Sequence, residues 1–193
     1  MQKKIKIVAL CGESGAGKDT ILKWIVSNYP EEYHAIVSNT TRPKREHEID
    51  GVDYHFLTEE EFNKQEYLEW TEFRGWYYGT PTNKFSTKKY NIGVFNPEGI
   101  NTLLTKCNPN EYEISIFYIT ANPKIRLLRQ LNREDRPDCE EICRRFLTDE
   151  EDFKNLNYGL YTKNYAKILN EDFIVDAVAF KIVMTMRRKD KIL

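Results

Sequence analysis

Ile5-Lys6-Ile7-Val8-Ala9-Leu10 is a short, mostly apolar run rich in β-branched residues, the pattern of a strand buried in a parallel sheet. A glycine-rich turn follows, and then Ile21, Leu22, Ile25 and Val26 recur at the spacing of one helix face. Ile92-Gly93-Val94-Phe95 repeats the strand pattern, followed by a helical stretch carrying Ile100, Leu103 and Leu104. Ile114-Ser115-Ile116-Phe117-Tyr118-Ile119 predicts another strand, and Asn122 with Pro123 reads as the cap and first position of the next helix. Lys167-Ile168-Leu169 closes the series, with a long helix expected from about Asp172. Strands alternating with helices imply a parallel sheet covered on both faces.

Residues 36–90 break this alternation. They are rich in Tyr, Thr and Trp, with β-like runs at Glu69–Phe73 and Trp76–Gly79 and a capping-box pattern at Thr58-Glu59-Glu60-Glu61. The expected fold is α/β in one domain, residues 1–193. Its core is read as 1–35, 91–128 and 155–193, with a mixed-β insertion over 36–90 and a charged helical lid over 129–154. Two lobes and a flap around a sheet edge make a cleft that can close.

Composition narrows the class. Hydrophobic residues make up 40% of the chain, enough for a core, yet no run reaches the length of a membrane span. The first residues lead straight into a strand pattern without the apolar block of a signal peptide, so a cytoplasmic protein is expected, with no membrane partner. A net charge of −1 argues against a general nucleic-acid binder. Cys11, Cys107, Cys139 and Cys143 do not form a secreted disulfide framework, and neither they nor His34, His47 and His55 show convincing metal-ligand spacing.

The first chemical signal is Gly12-Glu13-Ser14-Gly15-Ala16-Gly17-Lys18, which matches the phosphate-loop (P-loop) pattern through its lysine. Glycines permit backbone conformations closed to other residues and let N–H groups approach phosphate oxygens. The helix that follows adds its positive end, and Lys18 can reach the outer phosphates of a nucleoside triphosphate. The flanking strand and helix are those the motif requires. Asp19 stands where the motif has Ser or Thr, with Thr20 next.

The insertion says more. Ser38-Asn39-Thr40-Thr41-Arg42-Pro43-Lys44-Arg45-Glu46-His47-Glu48-Ile49-Asp50-Gly51-Val52-Asp53-Tyr54 resembles the first signature of the guanylate kinase family. Glu69-Trp70 and Phe73-Arg74-Gly75-Trp76-Tyr77-Tyr78-Gly79-Thr80 resemble the second. Arg129, Arg133 and Arg145 resemble the family's lid arginines, and Asn170 its asparagine after the last strand. The resemblance spans nearly the whole chain.

What it implies is a set of roles. The phosphate loop, Gly12, Ser14, Gly15, Ala16, Gly17, Lys18, Asp19 and Thr20, would bind ATP together with Arg129, Arg133 and Asn170. Arg42, Arg45, Tyr54 and Tyr78 would hold the GMP phosphate, and Glu69, Ser38 and Thr80 would read guanine, with Glu48 and Asn96 in the same substrate set. Lys18, Arg42, Arg133 and Arg145 would carry catalysis. Residue chemistry agrees. A carboxylate accepts from both guanine N1–H and N2–H₂, hydroxyls can donate to O6, and adenine would leave these groups unpaired. Arginine binds two phosphate oxygens at once.

The chain also departs from the family pattern. The third strand carries Val94 and Asn96 where aspartates are usual, Trp76 stands for an asparagine, and proline directly follows Arg42. These differences bear on the metal arrangement and on base choice. Asp19 is the candidate Mg²⁺ ligand, with helix capping as the rival reading.

The expected function is ATP-dependent phosphorylation of GMP or dGMP by a monomer or weak homodimer. One alternative is a kinase with a different or broader nucleotide choice. The other is a non-catalytic guanylate kinase-like module that binds phosphopeptides, against which the intact Gly17-Lys18 argues.

Overall fold

The computed structural model describes residues 4–46, 48–73, 75–133, 135–154, 164–171 and 174–192. His47, Arg74, Asp172 and the stretch 155–163, all named in the sequence reading, lie outside the described residues.

β1 (Ile5–Cys11) is the centre of the larger sheet. Its residues Ile7 to Cys11 are wholly buried, as expected of a strand covered on both faces. It pairs in parallel with β7 (Tyr90–Val94) on one side and β8 (Tyr112–Thr120) on the other. β2 (Tyr33–Ala35) extends the sheet beyond β7, and β9 (Tyr165–Leu169) extends it beyond β8, both in parallel. The strand order is β2-β7-β1-β8-β9.

Alternation along β1 divides the core. Val8 and Leu10 pack with Ile21 and Ile25 of α1 (Lys18–Asn28) and with Val178, Ala179, Ile182, Val183 and Met186 of α6 (Val175–Ile192). Ile7, Ala9 and Cys11 face the other way, against Ile100 and Leu103 of α3 (Pro97–Lys106). Fully burying each Val, Leu, Ile or Met side chain among these contributes roughly 1.5–3 kcal/mol.

Helix starts follow their local chemistry. The Asn96 side chain accepts from the Gly99 N–H, with Pro97 in the first turn of α3. The Asn122 side chain does the same for Lys124 in α4 (Pro123–Leu131). Thr58 and Glu61 form the anticipated capping box on the short α2 (Glu59–Asn63). Asp138 caps α5 (Cys139–Phe153) through the Glu141 N–H.

A second, four-stranded sheet is built within the stretch read as an insertion. It contains β3 (Asn39–Thr40), β4 (His55–Phe56), β5 (Tyr67–Phe73) and β6 (Trp76–Pro81) in the order β4-β3-β6-β5. β5 and β6 form an antiparallel hairpin, β3 runs antiparallel to β6, and β4 is parallel to β3. The strands anticipated at 69–73 and 76–79 are present and longer. The two-residue strands β3 and β4 carry no periodicity that a sequence could reveal. Among the described residues no helix is long and apolar enough to cross a membrane.

Candidate active site

β1 delivers the chain into the phosphate loop at the carboxyl end of the large sheet, where its two neighbouring strands diverge in sequence order. Gly12 has φ 146°, and a Cβ there would lie 1.9 Å from the Ile119 carbonyl oxygen. Gly15 has φ 79°, and its Cβ would lie 2.4 Å from the Arg126 carbonyl oxygen. Only glycine fits both positions. The loop ends on Gly17, the N-cap of α1, which has no side-chain cap. Asp19 sits in the first turn of α1, where the helix end favours an acid.

Two of the loop's donor groups are held by the protein's own acceptors. Lys18 Nζ donates to the Glu13 carbonyl at 3.1 Å, and the Ser14 N–H donates to the Asp149 carboxylate of α5 at 2.7 Å. The Glu13 side chain is buried beneath the loop, where its Oε1 accepts from the Tyr118 hydroxyl at 2.7 Å and from Thr120 at 3.3 Å.

Arg129 and Asn170 sit behind this loop. Arg129 donates to the carbonyls of Gly15 (3.2 Å), Asn170 (2.8 Å) and Glu171 (3.2 Å). Asn170 Nδ2 donates to the Ala16 carbonyl at 2.8 Å. Arg129 was expected to close over the nucleotide. In the ligand-free protein its guanidinium braces backbone carbonyls, because α4 runs directly beneath the loop.

The other end of the site is built on the small sheet. Glu69 and Thr80 are cross-strand partners, and Thr80 Oγ1 donates to Glu69 Oε1 at 2.6 Å. Ser38 Oγ lies 3.4 Å from Thr80 Oγ1. Glu69 is only 6% exposed. Burial pushes its carboxyl up to about 7, with the Glu98 charge adding to this and the Thr80 hydrogen bonds opposing it.

Arg42 and Arg45 are organised by Glu48. The Arg42 guanidinium forks onto both Glu48 oxygens at 3.0 and 2.8 Å, and the Arg45 N–H donates to the same carboxylate at 2.8 Å. Burial pulls the Arg42 guanidinium down, and the Glu48 hydrogen bonds and charge more than offset it. Burial likewise opposes ionisation of Glu48, yet its hydrogen bonds from Arg42 and Arg45 hold it below the usual carboxylate range. Arg42 also lies over the Tyr54 and Phe56 rings, at 5.5 and 5.6 Å from their centroids. Tyr54 meets Tyr78 edge-on at 6.0 Å. Burial, and then the Asp19 carboxylate, push the Tyr54 phenol above its ordinary range.

These parts surround one cleft of about 290 Å³. From the phosphate loop it takes Gly12, Ser14, Lys18 and Asp19. From the region of the small sheet it takes Ser38, Arg42, Arg45, Glu48, Tyr54, Glu69 and Tyr78. Asn96 closes the floor, and Arg133 and Arg145 line the side formed by α5 and the turn before it. Gly15, Ala16, Gly17, Thr20, Thr80, Arg129 and Asn170 do not line it. The hydroxyl of Thr80 is already committed to Glu69, and that of Ser38 lies beside it.

Several cleft residues were not anticipated. Asp149, Glu141, Asp152 and Phe153 come from α5, and Thr71 and Phe73 from β5. One signal was available: Glu141, Arg145 and Asp149 recur every four residues and so share a helix face. Arg145 Nε lies 3.0 Å from Glu141 Oε1, and Arg144 forks onto the same carboxylate at 2.7 and 2.9 Å.

The arrangement places cations and a phosphate loop at one end of a cleft and a buried carboxylate–hydroxyl pair at the other. It can hold two phosphorylated groups facing each other, one of them attached to a base that donates two hydrogen bonds.

A family model described as guanylate kinase matches residues 4–181 of the chain. A guanylate kinase of Malacoplasma penetrans is 39% identical over 172 residues, covering 80% of this chain and 86% of the relative. A guanylate kinase of Thermotoga maritima is 35% identical over 147 residues, covering 73% and 70%. The crystal structure of guanylate kinase from Anaplasma phagocytophilum aligns with a TM-score of 0.65 at 19% identity, over 98% of this chain and 87% of that one, a likeness of fold.

Proposed function

The chain belongs to the guanylate kinase family, and we propose from that premise that the cleft described above is where it transfers the γ-phosphoryl group of ATP to GMP or dGMP. It is a nucleoside monophosphate kinase, a phosphotransferase, with ATP as donor. The observation that carries the assignment of substrates to residues is that Lys18 and Ser14 line the same cleft as the buried Glu69.

The division of labour follows from the chemistry. The loop amides and Lys18 would take the ATP phosphates, with Lys18 leaving the Glu13 carbonyl for them. Glu69 as a carboxylate accepts from guanine N1–H and N2–H₂, and Thr80 holds that carboxylate in place. Arg42 and Arg45, with the Tyr54 and Tyr78 hydroxyls, would hold the acceptor phosphate. An oxygen of that phosphate attacks the γ-phosphorus, the bond to the ADP oxygen breaks, and ADP leaves. Arg133 and Arg145 would offset the charge spread over the transferred oxygens, once Arg145 turns away from Glu141.

Mg²⁺ fits the residues present. It prefers oxygen ligands and binds through one or two carboxylates plus substrate phosphates. Asp19 presents such a carboxylate to the cleft beside Lys18. When bound, the ion would offset negative charge on the ATP phosphates.

We further place the enzyme in the cytoplasm, acting alone or as a weak homodimer. The core, the base-reading lobe over 36–90 and the lid over 129–154 are proposed as its working parts. A coupled ADP-release assay over ribo- and deoxynucleoside monophosphates tests the reading. GMP and dGMP should be the best acceptors, with AMP, CMP and UMP at least roughly 100-fold poorer in kcat/KM. Preference for another monophosphate would point to the broader-choice kinase, and no turnover together with phosphopeptide binding would point to the scaffold module.

A further inference from the structure

The Asp149 carboxylate is 6% exposed and lies against the phosphate loop, accepting from the Ser14 N–H at 2.7 Å. That amide belongs to the set whose inward N–H groups and helix end make the loop an anion site. An acid from α5 therefore holds one of the bonds that a donor phosphate oxygen needs. Lys18 is also satisfied internally, on the Glu13 carbonyl.

Asp149 does not act alone on its helix. Glu141, Arg145 and Asp149 are spaced four residues apart, and all three line the cleft. The face of α5 turned to the phosphates is acid, base, acid. In the structure the base is paired with the first acid and the loop with the last. A small shift or turn of α5 would carry the Asp149 carboxylate off the loop and bring the Arg145 guanidinium toward the phosphates.

We propose that Asp149 is an internal competitor for the donor phosphates, one that sets which anions the phosphate loop accepts. A single carboxylate is a modest competitor. A triphosphate offers several charged oxygens to the loop and to Lys18 at once and displaces it. Inorganic phosphate, or a nucleoside monophosphate in the wrong end of the cleft, offers fewer contacts and does not. Asp149 thereby reserves the loop for the donor and couples its arrival to release of α5. The inference rests on the reading of the loop as the ATP site.

The test is calorimetric titration of the ligand-free protein with ATP, inorganic tripolyphosphate and inorganic phosphate. Asp149→Asn keeps the shape and removes the charge, Asp149→Ala removes the acceptor, and Glu151→Gln on the exposed side of α5 is the control. Both Asp149 variants should bind ATP roughly 10-fold more tightly, with a larger relative gain for inorganic phosphate, while the control stays at the parent value. The Ser14 amide proton, read by NMR without ligand, should move upfield in Asp149→Ala. Unchanged or weaker ATP binding by folded Asp149 variants overturns the proposal, as does an equal gain for all three anions. If the parent protein binds GMP but no ATP, the donor-site reading itself fails, which the parent titration alone reports.

Discussion

Thr80 Oγ1 donates to Glu69 Oε1 at 2.6 Å across the β5–β6 pair, and both residues are buried. The bond fixes the carboxylate in the sheet, so Thr80 orients the group proposed to read the base. Glu69→Gln keeps the shape but turns one acceptor into a donor facing guanine's own donors. Its expected cost is about 1–3 kcal/mol in kcat/KM for GMP, with the KM for ATP unchanged. Steady-state kinetics in each substrate check it, and equal losses for both nucleotides would mean a folding defect.

The same carboxyl makes acceptor binding depend on pH. Burial raises Glu69 to about 7 in the ligand-free protein. Guanine's N–H groups need the ionised form, so GMP affinity should fall as pH drops from 8 to 6, and GMP binding in that range should release protons. Stability moves the other way. Between its ordinary value and about 7, folded Glu69 keeps a proton that the unfolded chain has lost, so its contribution to stability declines as pH rises through that window. Titrations of GMP in buffers of different ionisation enthalpy give the proton count. A count of zero at pH 6.5 would remove Glu69 from base recognition.

Glu48 should matter as much as the arginines it holds. It takes both Arg42 nitrogens and the Arg45 amide, and removing it leaves Arg42 half-buried without its forked partner. Glu48→Gln is expected to raise the KM for GMP about 10-fold with little change for ATP, and to lower the melting temperature. Glu48 titrates below the usual carboxylate range, so its contribution to stability is present above the ordinary value and is lost as pH falls through the depressed one. The melting-temperature gap between Glu48→Gln and the parent should therefore narrow as pH falls below 4.5, and a gap that stays the same at all pH values would contradict this.

Those contacts mark the limit of what the sequence made legible. The β1–loop–α1 unit could be read because its requirements are local: a buried strand, glycines where no Cβ fits, and a lysine at the helix start. The caps at Thr58, Asn96 and Asn122 lie within three residues of what they cap. The Glu48 fork was hidden because the residue types alone do not say which acid an arginine will choose. The Asp149–Ser14 contact joins positions 135 apart in the chain, and only the packing of α5 brings them together. The contacts of Arg129 were hidden for the same reason. Its charge suggested a phosphate, but its place on α4 sets it under the loop among the carbonyls of Gly15, Asn170 and Glu171.

Lys18→Ala should lower kcat by roughly 100-fold or more, since a positioned charge is lost from the transition state. The lysine spans only from the start of α1 to the Glu13 carbonyl, 3.1 Å from its Nζ, so its loss should leave the fold intact. Circular dichroism should match the parent protein while turnover collapses. Turnover reduced less than 10-fold would mean that another cation supplies the charge.

Asp19 offers the sharpest test of how this chain meets its metal. The usual phosphate loop places a neutral hydroxyl after its lysine, whereas here that position is a carboxylate, and Val94 at the end of β7 and Asn96 just beyond it stand where the family usually has acids. Asn96 is occupied as the cap of α3, and Val94 has no ligand atom. Asp19 lines the cleft in the first turn of α1, where the helix end also favours an acid. A carboxylate so close to ATP phosphates would repel them unless a cation lay between. Asp19→Asn should therefore raise the Mg²⁺ concentration needed for half-maximal turnover about 10-fold, and Asp19→Ser should recover only part of the loss, because the strand acids that would assist a hydroxyl are absent. Binding of Mn²⁺ to the ATP complex, followed by water proton relaxation, should weaken in the same order without reference to turnover. If both variants keep the parent's metal dependence and lose only thermal stability, Asp19 serves the helix end and not the metal.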